Sequence, residues 1–149
     1  MDTVFTDCKV TVLLAQVADT APLTTPVLDM AGYEGVAFVM GNNDGSIITG
    51  YHIEVQQDTT NGMGGAAAIS GSGITFSSLT GIVTSVTDVK HITDRYVRAV
   101  ITIPNCAATA VTAVTAIQYG AKTKPAVQDA TTADCWTGEV NVGTGEGTA

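Results

Sequence analysis

Short segments in which apolar and polar residues alternate recur along most of the chain. In the clearest, 95–103, every second residue is apolar: Val97, Ala99, Ile101 and Ile103. Alternation with a period of two places these side chains on one face of a half-buried β-strand. Val, Ile and Thr, whose branched side chains favour strands, are frequent, whereas Leu, Glu and Lys are scarce. The sequence therefore predicts an all-β protein.

Turn-forming residues divide the chain into seven or eight candidate strands. The main ones are expected at 4–14, 36–40, 47–57, 82–89, 95–103 and 110–119. The segment 41–45 reads GNNDG, and Asn, Asp and Gly tolerate the positive φ angles of a hairpin turn. No alternation of strands with helices is visible, so a parallel sheet is not expected. We predict an antiparallel β-sandwich with a jelly-roll-like topology.

The first and last of these segments also predict which side chains face the core. In 4–14 the inward set is Cys8, Val10, Val12 and Leu14. In 110–119 one face carries Val111, Ala113, Ile117 and Tyr119. The opposite face carries Val114 and Ala116, where a monomer would show more charge. We therefore predict that Val114 and Ala116 contact another protein and that the protein is a homo-oligomer, with a trimer the first expectation.

Length and charge limit the classes of partner. The chain has 149 residues, which suits one domain with a substantial core, and a formal net charge of −8 with 6 basic residues. So few basic residues cannot neutralise a long run of phosphates, so neither nucleic acid nor an anionic membrane surface is expected as a partner. No stretch reaches the roughly 18 consecutive apolar residues of a membrane span.

The composition changes after Gly120. The segment 125–149 carries Asp129, Asp134, Glu139 and Glu146 but no basic residue. It also contains the only tryptophan, Trp136, among small and polar neighbours. Tryptophan is enriched among the residues that dominate binding energy at protein interfaces. We predict a β-sandwich domain over 1–124 and an extended acidic C-terminal arm over 125–149, with Trp136 as a contact residue.

No combination of residues typical of a catalytic, cofactor-binding or metal site stands out. The histidines, His52 and His91, lie in strand-like sequence, and neither HExxH nor CxxC spacing occurs. The Gly- and Ser-rich segment 58–73 lacks the lysine and the following helix of a phosphate-binding loop. We expect neither an enzyme nor a bound cofactor or metal ion.

The densest group of charged residues lies in the segment 94–98. Tyr96 and Arg98 are two positions apart, so they share one face of the predicted strand, and Arg95 directly precedes Tyr96. Pairing with neighbouring strands of the same sheet is one interpretation of this group. Contact with another subunit or with a capsid is the alternative. We keep Arg95, Tyr96 and Arg98 as candidate protein-contact residues.

Three stretches of the chain resemble a group of small proteins encoded among the virion genes of tailed phages. They are GYEGVAFVMGNNDGSIITGYHIEVQQDTTNGMGGAA, DVKHITDRYVRAVITI and VTAIQYGAKTKPAV. The shared pattern is an apolar strand after a GYEG-like element, a VQQ strand before a Gly-rich loop, an RYVRAVIT strand and a closing YGAKTKP. The resemblance covers residues 27–126.

What the resemblance implies is a structural protein of the virion, made in the host cytoplasm. The first expectation is a capsid decoration or cement protein, whose partner is the major capsid protein or another virion protein. A head–tail connector, tail or fibre component is an alternative of the same class. A carbohydrate-binding β-sandwich module is an alternative from another class, although the aromatic residues that such modules expose make up only 5% of the chain.

Overall fold

The alternating, β-branched segments form ten β-strands in the computed structural model, which describes residues 7–19, 21–48, 50–76, 79–102 and 110–123. The strands are β1 (Lys9–Asp19), β2 (Leu23–Thr24), β3 (Leu28–Asp29), β4 (Gly35–Ile48), β5 (Tyr51–Asp58), β6 (Ala67–Ala68), β7 (Ile74–Phe76), β8 (Leu79–Lys90), β9 (Tyr96–Thr102) and β10 (Ala110–Tyr119). The predicted all-β class is confirmed. Within the described ranges, no helix is long and apolar enough to cross a membrane.

The strands form two antiparallel sheets that pack as a sandwich. Sheet A has the order β1-β10-β4-β8, and sheet B has the order β2-β9-β5-β6, with β3 also paired to β9 and β7 to β5. If β2 with β3 and β6 with β7 are each counted as one interrupted strand, the chain has eight strand positions. The first then pairs with the eighth, the second with the seventh, the third with the sixth and the fourth with the fifth. This nested pairing is a jelly-roll topology, so the predicted jelly-roll sandwich is confirmed.

The core lies between the two sheets and takes alternate residues from each strand. Sheet A contributes Val36, Phe38, Met40, Val89, Val114 and Ala116. Sheet B contributes Tyr51, Ile53, Val55, Val97, Ala99 and Ile101. The Tyr51 hydroxyl donates a hydrogen bond to Sδ of Met40 in the opposite sheet, at 3.3 Å. Burial of each large apolar side chain contributes roughly 1.5–3 kcal/mol, so these two inner faces hold the sheets together.

Strand β10 is oriented the opposite way from the sequence prediction. Val114 and Ala116 are 1% and 0% exposed and lie in the core, so the prediction that they contact another protein is wrong. Thr115 and Ile117 alternate with them and face outward, each partly exposed. Both faces of this strand are apolar or weakly polar. The alternation alone therefore does not show which face packs in the core.

A bulge changes the orientation of β1. The register pairs Val12 with Thr115 and Leu14 with Val114, which leaves Leu13 as an extra residue between them. Leu13 is buried, whereas Val12 is 37% exposed on the outer side. Val10 lies on the same outer side, opposite Ile117. The prediction that Val10 and Val12 face the core is therefore wrong. A β-bulge places two residues opposite one, and the pattern of the sequence contains no signal for it.

Strand β4 continues through GNNDG, the predicted hairpin turn. Asn43 pairs with Ile82 of β8 and with Val111 of β10, so this segment has a backbone partner on both sides. The expected turn is wrong because pairing with two long strands outweighs the weak strand propensity of Asn, Asp and Gly.

Side-chain hydroxyls close the gaps in the two interrupted edges of sheet B. Between β2 and β3, the backbone N–H of Ala99 donates to Oγ1 of Thr25 at 3.0 Å. Between β6 and β7, the N–H of Val55 donates to Oγ of Ser72, also at 3.0 Å. Val55 pairs with Ala99, so both hydroxyls lie on one row that crosses the whole sheet. They satisfy buried backbone groups where a regular ladder partner is absent.

The Gly-rich segment after β5 is organised around the carboxylate of Asp58. Its Oδ1 accepts a hydrogen bond from the N–H of Thr60 at 2.9 Å, and its Oδ2 accepts one from the N–H of Gly65 at 2.8 Å. These bonds, that of Thr60 foremost, hold the pKa of Asp58 below its ordinary value. The carboxylate thereby fixes the chain between β5 and β6.

We expect Ser72→Ala to lower the free energy of unfolding by about 1–3 kcal/mol, because it leaves the buried N–H of Val55 without its acceptor. Ser70→Ala is the matched control, since Ser70 is exposed in the same segment and its loss costs little. Urea denaturation of both variants measures the difference. Equal stabilities would show that the hydroxyl of Ser72 does not close this edge.

The lowered pKa of Asp58 predicts that the folded protein loses stability in acid. Its pKa is lower in the folded protein than in the unfolded chain, so its contribution is present above about pH 4 and disappears as the pH falls through the folded pKa. We expect Asp58→Asn to be less stable at pH 7 and to lose less stability than the wild type between pH 5 and pH 2. Denaturation curves across this range provide the measurement, and parallel pH profiles would contradict the assignment.

Candidate protein-contact surface

The outer face of sheet B is polar and hydrogen-bonded within itself. Nε and Nη2 of Arg98 donate to Oε1 of Gln56 at 3.0 and 2.8 Å, and Nε2 of Gln56 donates to Oε1 of Glu54 at 2.8 Å. Nε2 of His52 lies 3.7 Å from Oε2 of Glu54, and its Nδ1 lies 2.8 Å from Oγ1 of Thr75. This chain of polar side chains is well suited to contact with water.

Arg95 binds Asp29 at one end of the same sheet. Its Nε and Nη2 donate to the two carboxylate oxygens at 2.9 and 2.7 Å, and its guanidinium lies 5.2 Å from the ring centroid of Tyr96. The hydrogen bond from Arg95 lowers the pKa of Asp29. Both partners are about half exposed, and such pairs contribute at most about 1 kcal/mol. The pair fastens β3 beside β9.

The outer face of sheet A is chemically different because its central row is uncharged. This row crosses the four strands in order and carries Val12, Thr115, Val39 and Val86. Val12 is 37% exposed and Val86 is 54% exposed, and in the described part of the chain these are the two exposed large apolar side chains. An antiparallel sheet that faces water usually alternates apolar residues inside with polar residues outside. Sheet A departs from that rule on its outer face.

The neighbouring rows extend this surface. On one side the register aligns Val10, Ile117, Ala37 and Asp88. On the other side it aligns Ala113, Gly41 and Thr84. We call these two rows together with the central row the outer apolar face. Asp88, on the edge strand β8, is its one charged residue. Large contiguous apolar patches are characteristic of interaction sites, so we take this face as the candidate protein-contact surface.

Tyr119 closes one end of the outer apolar face. Its hydroxyl donates to Oδ1 of Asp88 at 2.6 Å, and Nζ of Lys90 lies 5.9 Å from its ring centroid. Burial, and then the hydrogen bond to Asp88, raises the pKa of Tyr119, so the phenol is neutral at physiological pH. Nζ of Lys90 also lies 4.0 Å from Asp88, which partly balances the carboxylate.

The ring of Tyr119 occupies the space above Gly35. A Cβ at that position would overlap the Tyr119 hydroxyl oxygen and would lie 2.8 Å from the carbonyl oxygen of Val89. The absence of a side chain therefore lets the ring pack against β4. Gly35 is the second glycine of the GYEG element. The packing of Tyr119 therefore explains why a glycine occupies this position.

Two clefts lie beside the 29–33 connection. One has a volume of about 320 Å³ and is lined by residues that include Tyr33, Arg95 and Lys122. The other has a volume of about 290 Å³ and includes Lys9 and Gln118. Within the described ranges neither cleft is lined by a histidine, serine or cysteine. No group of three or more His, Cys, Asp or Glu residues in those ranges could hold a metal ion.

The residues predicted to contact another protein differ in where the structure places them. Tyr96 and Arg98 share the outer face of sheet B, as predicted, and Arg95 binds Asp29 beside them. Their role in contact with another protein stays a prediction. Trp136 and the proposed arm over 125–149 lie outside the described residues. Val39 and Val86 were not among the predicted contacts, and a register linking β4 to β8 was needed to place them in one row.

Comparison with known proteins adds no relative to this picture. No protein-family model matches the chain, and no curated protein matches its sequence. The chemistry of the two outer faces is therefore the basis for a functional assignment. One face forms its own polar network, and the other presents β-branched apolar side chains.

Tyr119 and Gly35 lead to a prediction about stability. We expect Gly35→Ala to displace the ring and to lower the free energy of unfolding by about 1–3 kcal/mol, the usual cost of overpacking. Gly41→Ala in the same strand is the matched control, because nothing lies within 4 Å of a Cβ at Gly41. Thermal denaturation of both variants tests the difference. If the two variants melt alike, the ring does not depend on Gly35.

Proposed function

We propose that the protein is a structural component of a virion, and most specifically a decoration protein that binds the capsid lattice built by the major capsid protein. The observation that carries this proposal is the outer apolar face on a jelly-roll sandwich. Jelly rolls are common among viral capsid and lectin domains, where the sandwich is a rigid scaffold for contacts. The resemblance over residues 27–126 to virion proteins of tailed phages supports the same assignment.

The chemistry of the outer apolar face suits attachment to a repeating surface. Its β-branched side chains lose little conformational freedom on contact, and few charges have to be stripped of water. Hydrophobic contact contributes about 25 cal/mol for each Å² of apolar surface removed from water. A modest gain for each copy is sufficient on a lattice, because neighbouring contacts raise the effective concentration.

Other components of the virion are the nearest alternatives. A head–tail connector, a tail protein or a fibre protein would use the same rigid sandwich and the same apolar face. A carbohydrate-binding module is the alternative from another class, and it would need an accessible aromatic ring. Tyr96 on sheet B is covered on one side by the guanidinium of Arg95 at 5.2 Å, which makes it a poor stacking platform.

The proposal is tested on particles of the phage that encodes the chain. We expect the protein to remain with gradient-purified particles in many copies, and cryo-electron microscopy to show its two-sheet density on the outer capsid surface. Particles from a deletion mutant should lack this density and should regain it when purified protein is added. Absence of the protein from purified particles would exclude a virion role.

One variant on each sheet tests the two outer faces separately in the same particle-binding experiment. We expect Val86→Lys to reduce binding to the deletion-mutant particles, because an ammonium group loses its water on an apolar contact. Val100→Lys places the same charge on the outer face of sheet B, beside Glu54, and should bind as the wild type does. Density at a portal or tail would instead identify a connector or tail component.

A further inference from the structure

We propose that β8, at the edge of sheet A, pairs with β8 of a second copy of this chain, antiparallel and around a twofold axis at Ser85. The pairing joins two four-stranded A sheets into one continuous sheet. It goes beyond the proposed attachment to a capsid, because it uses the backbone of an edge strand and leaves the outer apolar face of both copies free.

The edge formed by β8 lacks the features that normally protect the edge of a sheet. Short strands, bulges, prolines and inward-pointing charges keep edges from pairing with other chains. In sheet B the edge strands β2, β3, β6 and β7 have only two or three residues each. Strand β1, at the other edge of sheet A, has two irregularities in its register. Strand β8 instead pairs with β4 without a shift from Gly81 to Lys90, and within the described ranges no strand lies on its other side.

A buried hydroxyl on β8 points to a second copy as the partner. Ser85 pairs with Met40 and faces the interior, and its Oγ is buried without a hydrogen-bond partner in the described part of the chain. Buried polar groups in native structures are normally paired, because an unpaired one is destabilising. A twofold axis at Ser85 places this residue directly opposite its own copy, on the same face of the joined sheet. The two hydroxyls can then bond to each other, one donating and the other accepting.

The same register accommodates the charged end of β8. It overlaps residues 80–90 of the two copies, which is nearly the whole strand. It places Asp88 opposite Ile82 and Lys90 opposite Thr80, so like charges do not face each other. The two Asp88 residues lie six positions apart along the strands, roughly 20 Å, which is well beyond the screening length of about 10 Å at 0.1 M salt. Local repulsion across the contact is therefore small.

The backbone supplies the affinity of this contact. Residues 79–87 contain neither a charged residue nor a proline, so each N–H on the free side of that stretch is available as a donor. Antiparallel pairing over residues 80–90 forms about ten main-chain hydrogen bonds, as many as a typical protein interface contains. Strand addition at a sheet edge is an established mode of recognition, in which main-chain bonds give the affinity.

The direction of the axis determines how the two copies present their surfaces. The axis is normal to the joined sheet, so both outer apolar faces lie on the same side of it. The pair therefore offers two such faces in one direction, and both can bind a single surface. This twofold pair differs from the trimer expected from the sequence.

Sedimentation equilibrium of the full-length chain from micromolar to millimolar concentration tests the pairing. We expect a monomer–dimer equilibrium that Ser85→Lys weakens at least about tenfold, because the axis brings two inward-pointing ammonium groups together. Thr84→Lys is the matched control on the same strand and should have a much smaller effect, since Thr84 is exposed on the outer side. Val39→Lys alters the outer apolar face alone and should dimerise as the wild type does. Circular dichroism verifies that each variant folds.

Introduced cysteines test the register. We expect Ser85→Cys to form a covalent dimer on mild oxidation, because the Cβ atoms of directly opposite residues lie within about 5.5 Å. Thr87→Cys is the matched control, since Thr87 is equally buried but lies four positions, roughly 14 Å, from its own copy. A disulfide requires Cα atoms within about 7 Å. Peptide mapping by mass spectrometry distinguishes a link between the introduced cysteines from one that involves Cys8, Cys106 or Cys135.

A monomer at millimolar concentration would leave the Ser85 hydroxyl to another partner and would overturn the inference. A trimer, a dimer that Ser85→Lys leaves intact, or a dimer lost in Val39→Lys would also overturn it, as would equal cross-linking of the two cysteine variants. If Ser85→Lys does not fold, the cross-linking of Ser85→Cys decides the question. These measurements need no virion, so they succeed or fail independently of the particle-binding test.

Discussion

A two-layer sandwich buries one face of each sheet, and the fold leaves the chemistry of the two outer faces undetermined. Both sheets follow the same rule inside, where Phe38 and Met40 of sheet A pack with Tyr51 of sheet B. Outside they diverge. Sheet B joins Arg98 to Glu54 through Gln56, whereas the central row of sheet A carries no charge. The inner packing explains the fold, and only the difference between the outer faces needs a functional explanation.

This constraint also explains which parts of the structure could be predicted from the sequence. Strand β9 was predicted correctly because its outer residues, Tyr96 and Arg98, are polar and its inner residues are apolar. Strand β10 was assigned the wrong inner face because Ala113 and Ile117 outside are about as apolar as Val114 and Ala116 inside. A strand with two apolar faces gives the right class of element and no information about its orientation. The candidate contact surface was missed for this same reason.

Other differences arise from interactions that a single segment does not contain. GNNDG has the composition of a turn, yet it is held in β4 by partners that come from β8 and β10, at 79–90 and 110–119. The hydroxyls of Thr25 and Ser72 lie in loop-like sequence, yet they complete one row of sheet B from opposite edges. Local propensity is a weak signal where long-range pairing decides the outcome. Both cases therefore required the three-dimensional register.

The composition of the chain agrees with this division of its surface. Charged residues make up 13% of the chain, about half of the usual share. The outer face of sheet A is one place where charge is low, because Val39 and Val86 lie at outward positions where a sheet facing water usually carries polar residues. The side chains there are short, and none of the central row is aromatic, so each contact is weak. A weak contact keeps a newly made chain dispersed while it is dilute. The same contact becomes effective when copies are concentrated on a regular surface, because the second binding event is then nearly intramolecular.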